Sequence, residues 1–202
     1  MILPILQYGD PILRAKGKRV EQIDDHIREL AVNMIETMHA AHGVGLAAQQ
    51  IGKTLQLTVL DISQIEDRPS TMKLNGKEVD PGMTMPLVLV NPELELRGET
   101  EVGVEGCLSF PEISADIERS KSVIARAQTL EGENIEIEAG GLLSRVIQHE
   151  FDHLHGILFI DRINSAAKAA LSSRLKRMQK ETKRGKRIRP EEEQSLVTEA
   201  TL

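Results

Sequence analysis

Ile147-Gln148-His149-Glu150-Phe151-Asp152-His153-Leu154-His155-Gly156 is the stretch on which the reading of this chain turns. Taken as a helix, it puts His149 and His153 one turn apart on one face, so both imidazoles can reach a single metal ion. Glu150 sits beside the first, where its carboxylate can take a proton from a water that the metal activates. The bland alternative is a surface helix carrying two solvated histidines. Two histidines rarely hold a catalytic metal alone; three protein ligands plus an open position is the usual pattern. One large protease group extends the motif to H-E-x-x-H-x-x-G-x-x-H. Here the match runs through Gly156 and then meets Phe159, which cannot bind metal. Asp161 follows the apolar run Ile157-Leu158-Phe159-Ile160 too soon after the helix to fold back easily, and Glu191-Glu192-Glu193 belongs to a polar tail. The favoured third ligand is Cys107, the only cysteine, in Glu105-Gly106-Cys107-Leu108-Ser109-Phe110-Pro111. Gly106 lets the backbone approach closely, and Pro111 fixes the turn. The alternative for a lone cysteine is a small buried hydrophobe.

Outward from the motif, Gly140-Gly141 opens the metal helix, whose inward side carries Leu142, Leu143, Val146, His149 and His153. Upstream, Asp24 or Asp25 caps a helix with Ile27, Leu30, Ala31, Met34, Ile35 and Met38 at helical spacing, and Gly43 stops it. Leu55, Leu57 and Val59 alternate with polar residues as a strand does. Further strand candidates are Pro86 to Val90, Val102 to Val104, Ser122 to Ala127 and Asn134 to Glu138. Residues 62 to 85 carry Pro69, Gly76, Pro81 and Gly82 with little periodicity, and read as a long loop or insertion. Ser165 to about Lys183 reads as a final helix. The expectation is an α+β fold: antiparallel strands packed around a central helix carrying the HExxH motif, with N- and C-terminal helices. Residues 1–183 would form a single catalytic domain, and 184–202 a polar, frayed tail.

At 202 residues the chain suits one domain with a real core. It shows no apolar run long enough to span a membrane and no signal-peptide pattern, and one cysteine allows no internal disulfide. The expected location is the cytoplasm. The net charge of −6 hides an asymmetry: Arg174 to Arg189 holds nine basic residues against one acidic, a local +8, leaving −14 elsewhere. Such an acidic body is a poor general nucleic-acid binder and excludes DNA as an expected partner. A basic C-terminal helix can still touch a polyanion such as RNA.

Three segments together resemble the signature motifs of peptide deformylases: Gly43-Val44-Gly45-Leu46-Ala47-Ala48-Gln49-Gln50, Glu105-Gly106-Cys107-Leu108-Ser109 and Gln148-His149-Glu150-Phe151-Asp152-His153. The resemblance covers about Leu6 to Lys183. It implies removal of the formyl group from the N-terminal formylmethionine of new proteins, with release of formate. It implies Cys107, His149 and His153 as ligands of one divalent metal ion, with Fe2+ the physiological metal and Zn2+ or Ni2+ in purified material; the donor types suit zinc and iron alike. Glu150 becomes the general base, and Gln50 with the Leu108 backbone N–H stabilises the oxyanion. For Gln50, the flanking Gly43 and Gly45 permit unusual backbone angles. Glu105 is expected to accept a hydrogen bond from a ligand histidine, and Arg119 to pair with Asp152. Val44, Gly45, Leu46, Phe110 and Val146 are expected to wall a methionine-sized pocket, with Arg145 near its edge. Arg145 and Ser114 depart from the residues more usual in the family. His155 is expected to face away, His26 and His39 to be ordinary helix residues, and His42 at most to border the cleft. The family also implies weak, salt-sensitive ribosome docking through the basic C-terminal helix, although the tail turns acidic after Arg189. Two rivals remain: a peptidase of ordinary peptide bonds, and a degenerate metal-binding protein.

Overall fold

The protein is described from a computed structural model, over residues 1–185. The expected tail from 186 onward, with Glu191-Glu192-Glu193, lies outside the described residues. Helix α1 spans Asp25–Ala40, and Asp24 caps it by accepting from the Ile27 N–H at 3.0 Å. It ends before Gly43: His42 takes the left-handed turn (φ 52°), and His39 pairs with Asp61 at 2.8 Å. Seven strands follow: β1 Gly45–Ala47, β2 Leu57–Leu60, β3 Ser70–Leu74, β4 Lys77–Val79, β5 Leu87–Gly106, β6 Ser114–Gln128 and β7 Asn134–Gly141. They form one sheet of order β1-β2-β5-β6-β7-β3-β4, with every neighbouring pair antiparallel. Helix α2 (Leu142–Leu154) follows β7, and α3 (Ser165–Lys183) is the last described helix.

Antiparallel strands were expected, but two of them stand where a loop was. Residues 62 to 85 contain the β3–β4 hairpin, whose tip is Asn75-Gly76 with φ of 50° and 79°. Asn-Gly between Leu74 and Lys77 is a strong local signal for a two-residue hairpin turn, and Met72, Leu74 and Val79 supply the inward side chains. The hairpin gains its stability from β7, through the register Ser70↔Gly141 to Leu74↔Ile137. The two short candidates at 86–90 and 102–104 are parts of one long strand. β5 is broken into register shifts at Val90/Glu93 and Arg97/Thr100, which hide its continuity from a period-2 reading. At the first shift Asn91 has φ of 53°, and its amide joins Val20 N–H, Val20 C=O and Gln128 at 2.8, 2.9 and 3.1 Å.

Helix α2 packs against β1, β2, β3, β6 and β7. Leu142, Leu143, Val146 and Ile147 enter a core with Leu60, Leu89, Val123 and Ile137 from the sheet. Burial is not confined to that face: twelve of its thirteen residues are buried. Most of its polar groups are therefore partnered, the exceptions among the described residues being Glu150 Oε2 and His153 Nδ1. Gln148 donates to the Ser120 carbonyl at 2.8 Å and accepts from its N–H at 3.1 Å. A second cluster seats α1 on β1 and β2 through Met34, Met38, Leu46 and Val59. A third joins Phe110, Ile117, Phe159 and Ile160 to Leu171, Leu175 and Met178 of α3. Lys176, Arg177, Lys180 and Lys183 of α3 face solvent.

Candidate active site

The reading of the motif as a solvated surface helix fails: His149 is 9% exposed and His153 1%. Their rings meet edge to face with centroids 5.0 Å apart. Cys107, just beyond the end of β5, places Sγ 3.3 Å from His153 Nε2. One donor atom each from Cys107, His149 and His153 lies within 4.8 Å of the other two. That is close enough for all three to serve one ion. The chemistry fits as well: a thiolate and two imidazoles form a compact, buried, borderline-soft donor set. Burial and the neighbouring His149 push His153 well below the usual histidine value, which keeps it neutral and able to donate a lone pair. Asp161, weighed as a third ligand, is engaged elsewhere, with Arg14 and the Leu158 N–H.

Around the donors stands a buried ionic network. Burial opposes the charge on Glu105, but the guanidinium of Arg119 and the imidazole of His149 outweigh it and hold the carboxyl far below its usual range. Its Oε2 meets His149 Nδ1 at 3.0 Å, and Arg119 donates to both its oxygens at 2.9 Å. Arg119 also donates to Asp152 at 2.5 Å, as the sequence leads one to expect, and Arg162 grips the same carboxylate from the solvent side. Arg145, expected near a pocket edge, does line the cavity, and it is buried with Nη1 donating to Glu105 at 2.9 Å.

Glu150 is buried, and its Oε2 has no hydrogen-bond partner among the described residues. Burial raises its pKa to about 7, with the His149 charge opposing. It fits because Gly45 has no side chain: a Cβ there would lie 2.4 Å from Glu150 Oε1. That close approach, rather than unusual backbone angles, explains this glycine; neither Gly43 nor Gly45 has positive φ. Gly106, by contrast, makes no close backbone approach, since a Cβ there would find only the Ile113 carbonyl at 3.9 Å. The Gln50 amide is oriented by its own oxygen, which accepts from the Ala47 N–H at 2.9 Å. Its Nε2 therefore points inward, 3.3 Å from Ser109 Oγ and 3.6 Å from Cys107 Sγ.

Gln50, Glu105, Cys107, His149 and Glu150 line a cavity of about 690 Å³. Val44, Gly45, Leu108, Phe110 and Val146 line it as expected, and His42 and Ser114 border it. Leu46 does not. Strand alternation turns it to the opposite face from Gly45, into the core beneath α1. Missed from the sequence were Leu142, one turn before Val146, and Arg68, a lone cation in an apparently featureless stretch. His155 bonds the Phe151 carbonyl at 2.8 Å, within its own helix.

Comparison with known proteins agrees. The pattern of the family described as Polypeptide deformylase matches residues 2–169. The peptide deformylase of Methylacidiphilum infernorum is 45% identical over 188 residues, covering 93% of this chain and 96% of that protein. The crystal structure of the Thermotoga maritima peptide deformylase superposes with a TM-score of 0.69 at 41% identity, covering 81% of this chain and 99% of that one. The Synechococcus elongatus peptide deformylase, solved in complex with actinonin, gives 0.74 at 37% identity, covering 85% and 87%. With its motifs, fold and converging donor set in agreement, the chain belongs to the peptide deformylase family, metallohydrolases that remove the N-formyl group from nascent peptides.

Proposed function

We propose that Cys107, His149 and His153 hold one divalent ion, Fe2+ under physiological conditions, and that Glu150, Gln50 and Leu108 perform the hydrolysis. The observation that carries this is the convergence of three metal donors with an unpartnered buried carboxylate and an inward-pointing amide, Cys107, His149, Glu150 and Gln50 lining one cavity. The ion, when bound, supplies Lewis acidity toward water and the formyl carbonyl. Glu150 takes a proton from the attacking water and returns it to the departing amine, so the products are formate and the free N-terminus. A carboxyl group raised to about 7 suits both halves of that exchange. Gln50 Nε2 and the Leu108 N–H donate to the formyl oxygen as negative charge develops on it. Glu105 fixes the tautomer of His149, while Arg119, itself braced by Asp152, holds Glu105 in place. Val44, Phe110 and Val146, beside Gly45, would receive the methionine side chain.

Residues 1–183 act in this reading as one catalytic domain, with strands around the motif-bearing helix and helices toward both ends, in the bacterial cytoplasm. No helix among the described residues is long and apolar enough to cross a membrane. The exposed cations of α3 support weak ribosome docking near emerging substrates. The decisive experiment uses one anaerobic, iron-loaded preparation. Metal content should be one ion per chain, and amine should be released from formyl-Met-Ala-Ser but not from an unformylated peptide cut at an internal bond. Cleavage of the second peptide would favour the peptidase reading instead.

A further inference from the structure

Arg145 lies on α2 one turn before His149 and is 4% exposed. Its Nη1 donates to Glu105 Oε1 at 2.9 Å and to the Ile117 carbonyl at 2.8 Å; its Nη2 donates to the Glu101 carbonyl at 3.1 Å. Glu105 therefore carries four donors on two oxygens. Arg119 Nε and Arg145 Nη1 meet Oε1, while Arg119 Nη2 and His149 Nδ1 meet Oε2. This fills the roughly four lone-pair sites of a carboxylate, so the group cannot rotate without losing a charge-assisted bond.

The same side chain ties α2, which carries His149 and His153, to β5 and β6. Cys107 follows the end of β5, so Arg145 bridges the two elements whose separation sets the spacing of the three donors. The strand makes room for it at Gly103, where a Cβ would lie 2.9 Å from Arg145 Nη2 and 3.0 Å from Cζ. We propose that Arg145 is a positioning residue for the metal centre, acting through Glu105 on His149, and that Gly103 is the seat that admits it. The inference rests on the metal reading above.

Ni2+-loaded wild type, R145M, R145K, G103A and the G103A/R145M double variant are challenged with EDTA, and metal release is timed. kcat and KM on formyl-Met-Ala-Ser and the thermal midpoint of each metal-free protein are measured alongside. R145M should release nickel about tenfold faster, the low end of what losing such outer partners costs. Its kcat should fall with KM unchanged. R145K, which keeps one charged donor for Glu105, should recover part of both losses. G103A, which displaces the guanidinium without touching Glu105 or His149, should act in the same direction, and the double variant should be no worse than R145M. If R145M and G103A keep wild-type release and kcat while only their thermal midpoints fall, Arg145 is mere packing and the proposal is wrong. R145K and G103A carry the test should R145M fail to fold. A C107S control separates the two readings. Fast nickel loss there beside wild-type behaviour in R145M sinks only this inference, whereas unchanged retention in C107S sinks the metal reading itself.

Discussion

Helices α2 and α3 are both rich in polar and charged residues, yet twelve of the thirteen residues of α2 are buried and of the nineteen in α3 only Leu175 is. Their ends differ in the same sense. Asn164 caps α3 through the Ala167 N–H at 2.8 Å, whereas Gly141 starts α2 with no side-chain cap. α3 is specified locally, by its cap and helix-favouring composition; α2 is held by what surrounds it. A polar side chain on α3 is solvated and adds little. On α2 it must be partnered, or be left unpartnered for chemistry, and Glu150 Oε2 is in the second state.

The sharpest test of that contrast is E150Q, which removes a proton acceptor and preserves shape. Turnover of formyl-Met-Ala-Ser should fall by about 10²- to 10⁴-fold, the range for a general base, while metal content stays unchanged. Retained turnover would break the comparison at its strongest point. Next comes D152N, which removes one of the two carboxylates from the buried Arg119 guanidinium and leaves it Glu105. Weakening a hydrogen bond to a charged group costs about 1.5–3 kcal/mol, to be read from urea unfolding of the metal-free protein.

Between the helices, Asp161 offers an intermediate case. Burial opposes its charge, but the hydrogen bonds from Arg14 and the Leu158 N–H together outweigh it and lower its pKa below the usual value. The folded pKa is the lower one, so the stabilisation is fully present above about pH 4 and is lost as pH falls through the folded value. The pair is substantially exposed, which limits it to about 1 kcal/mol or less. The stability gap between wild type and D161N should therefore close on acidification from pH 6 to pH 3. The smallest effect is expected on α3. A K176Q/R177Q/K180Q variant should keep its peptide turnover, with each change costing within about 0.5 kcal/mol. Only its salt-sensitive sedimentation with ribosomes should weaken, and unchanged sedimentation would argue against docking through this face.

The same contrast explains what could be read in advance. The span of α3 and the helical spacing of His149 and His153 are short-range properties, visible in the chain order. The pairing of Glu105 with His149, and of Arg119 with Asp152, joins residues 44 and 33 positions apart, and was reached through resemblance rather than spacing. Leu46 was misplaced because three residues of β1 give too little pattern to choose a face. The β3–β4 hairpin had a local signature in Asn75-Gly76, but its strands are short and depend on β7, far along the chain. Arg145 was legible as a neighbour of the motif. Its place inside the protein was not, because a buried arginine is defined by acceptors that come from β5 and β6.

Gly45 has a consequence for how this enzyme can vary. Replacing it with even the smallest side chain would drive a methyl into the carboxylate of Glu150, whereas the adjacent Val44 is a half-buried apolar wall of the cavity that also packs on the core. In a saturation library selected for growth on deformylation, position 45 should be all but invariant while position 44 drifts among apolar residues. Escape from a bulky inhibitor would then have to arise along the walls and not beneath the reacting atoms.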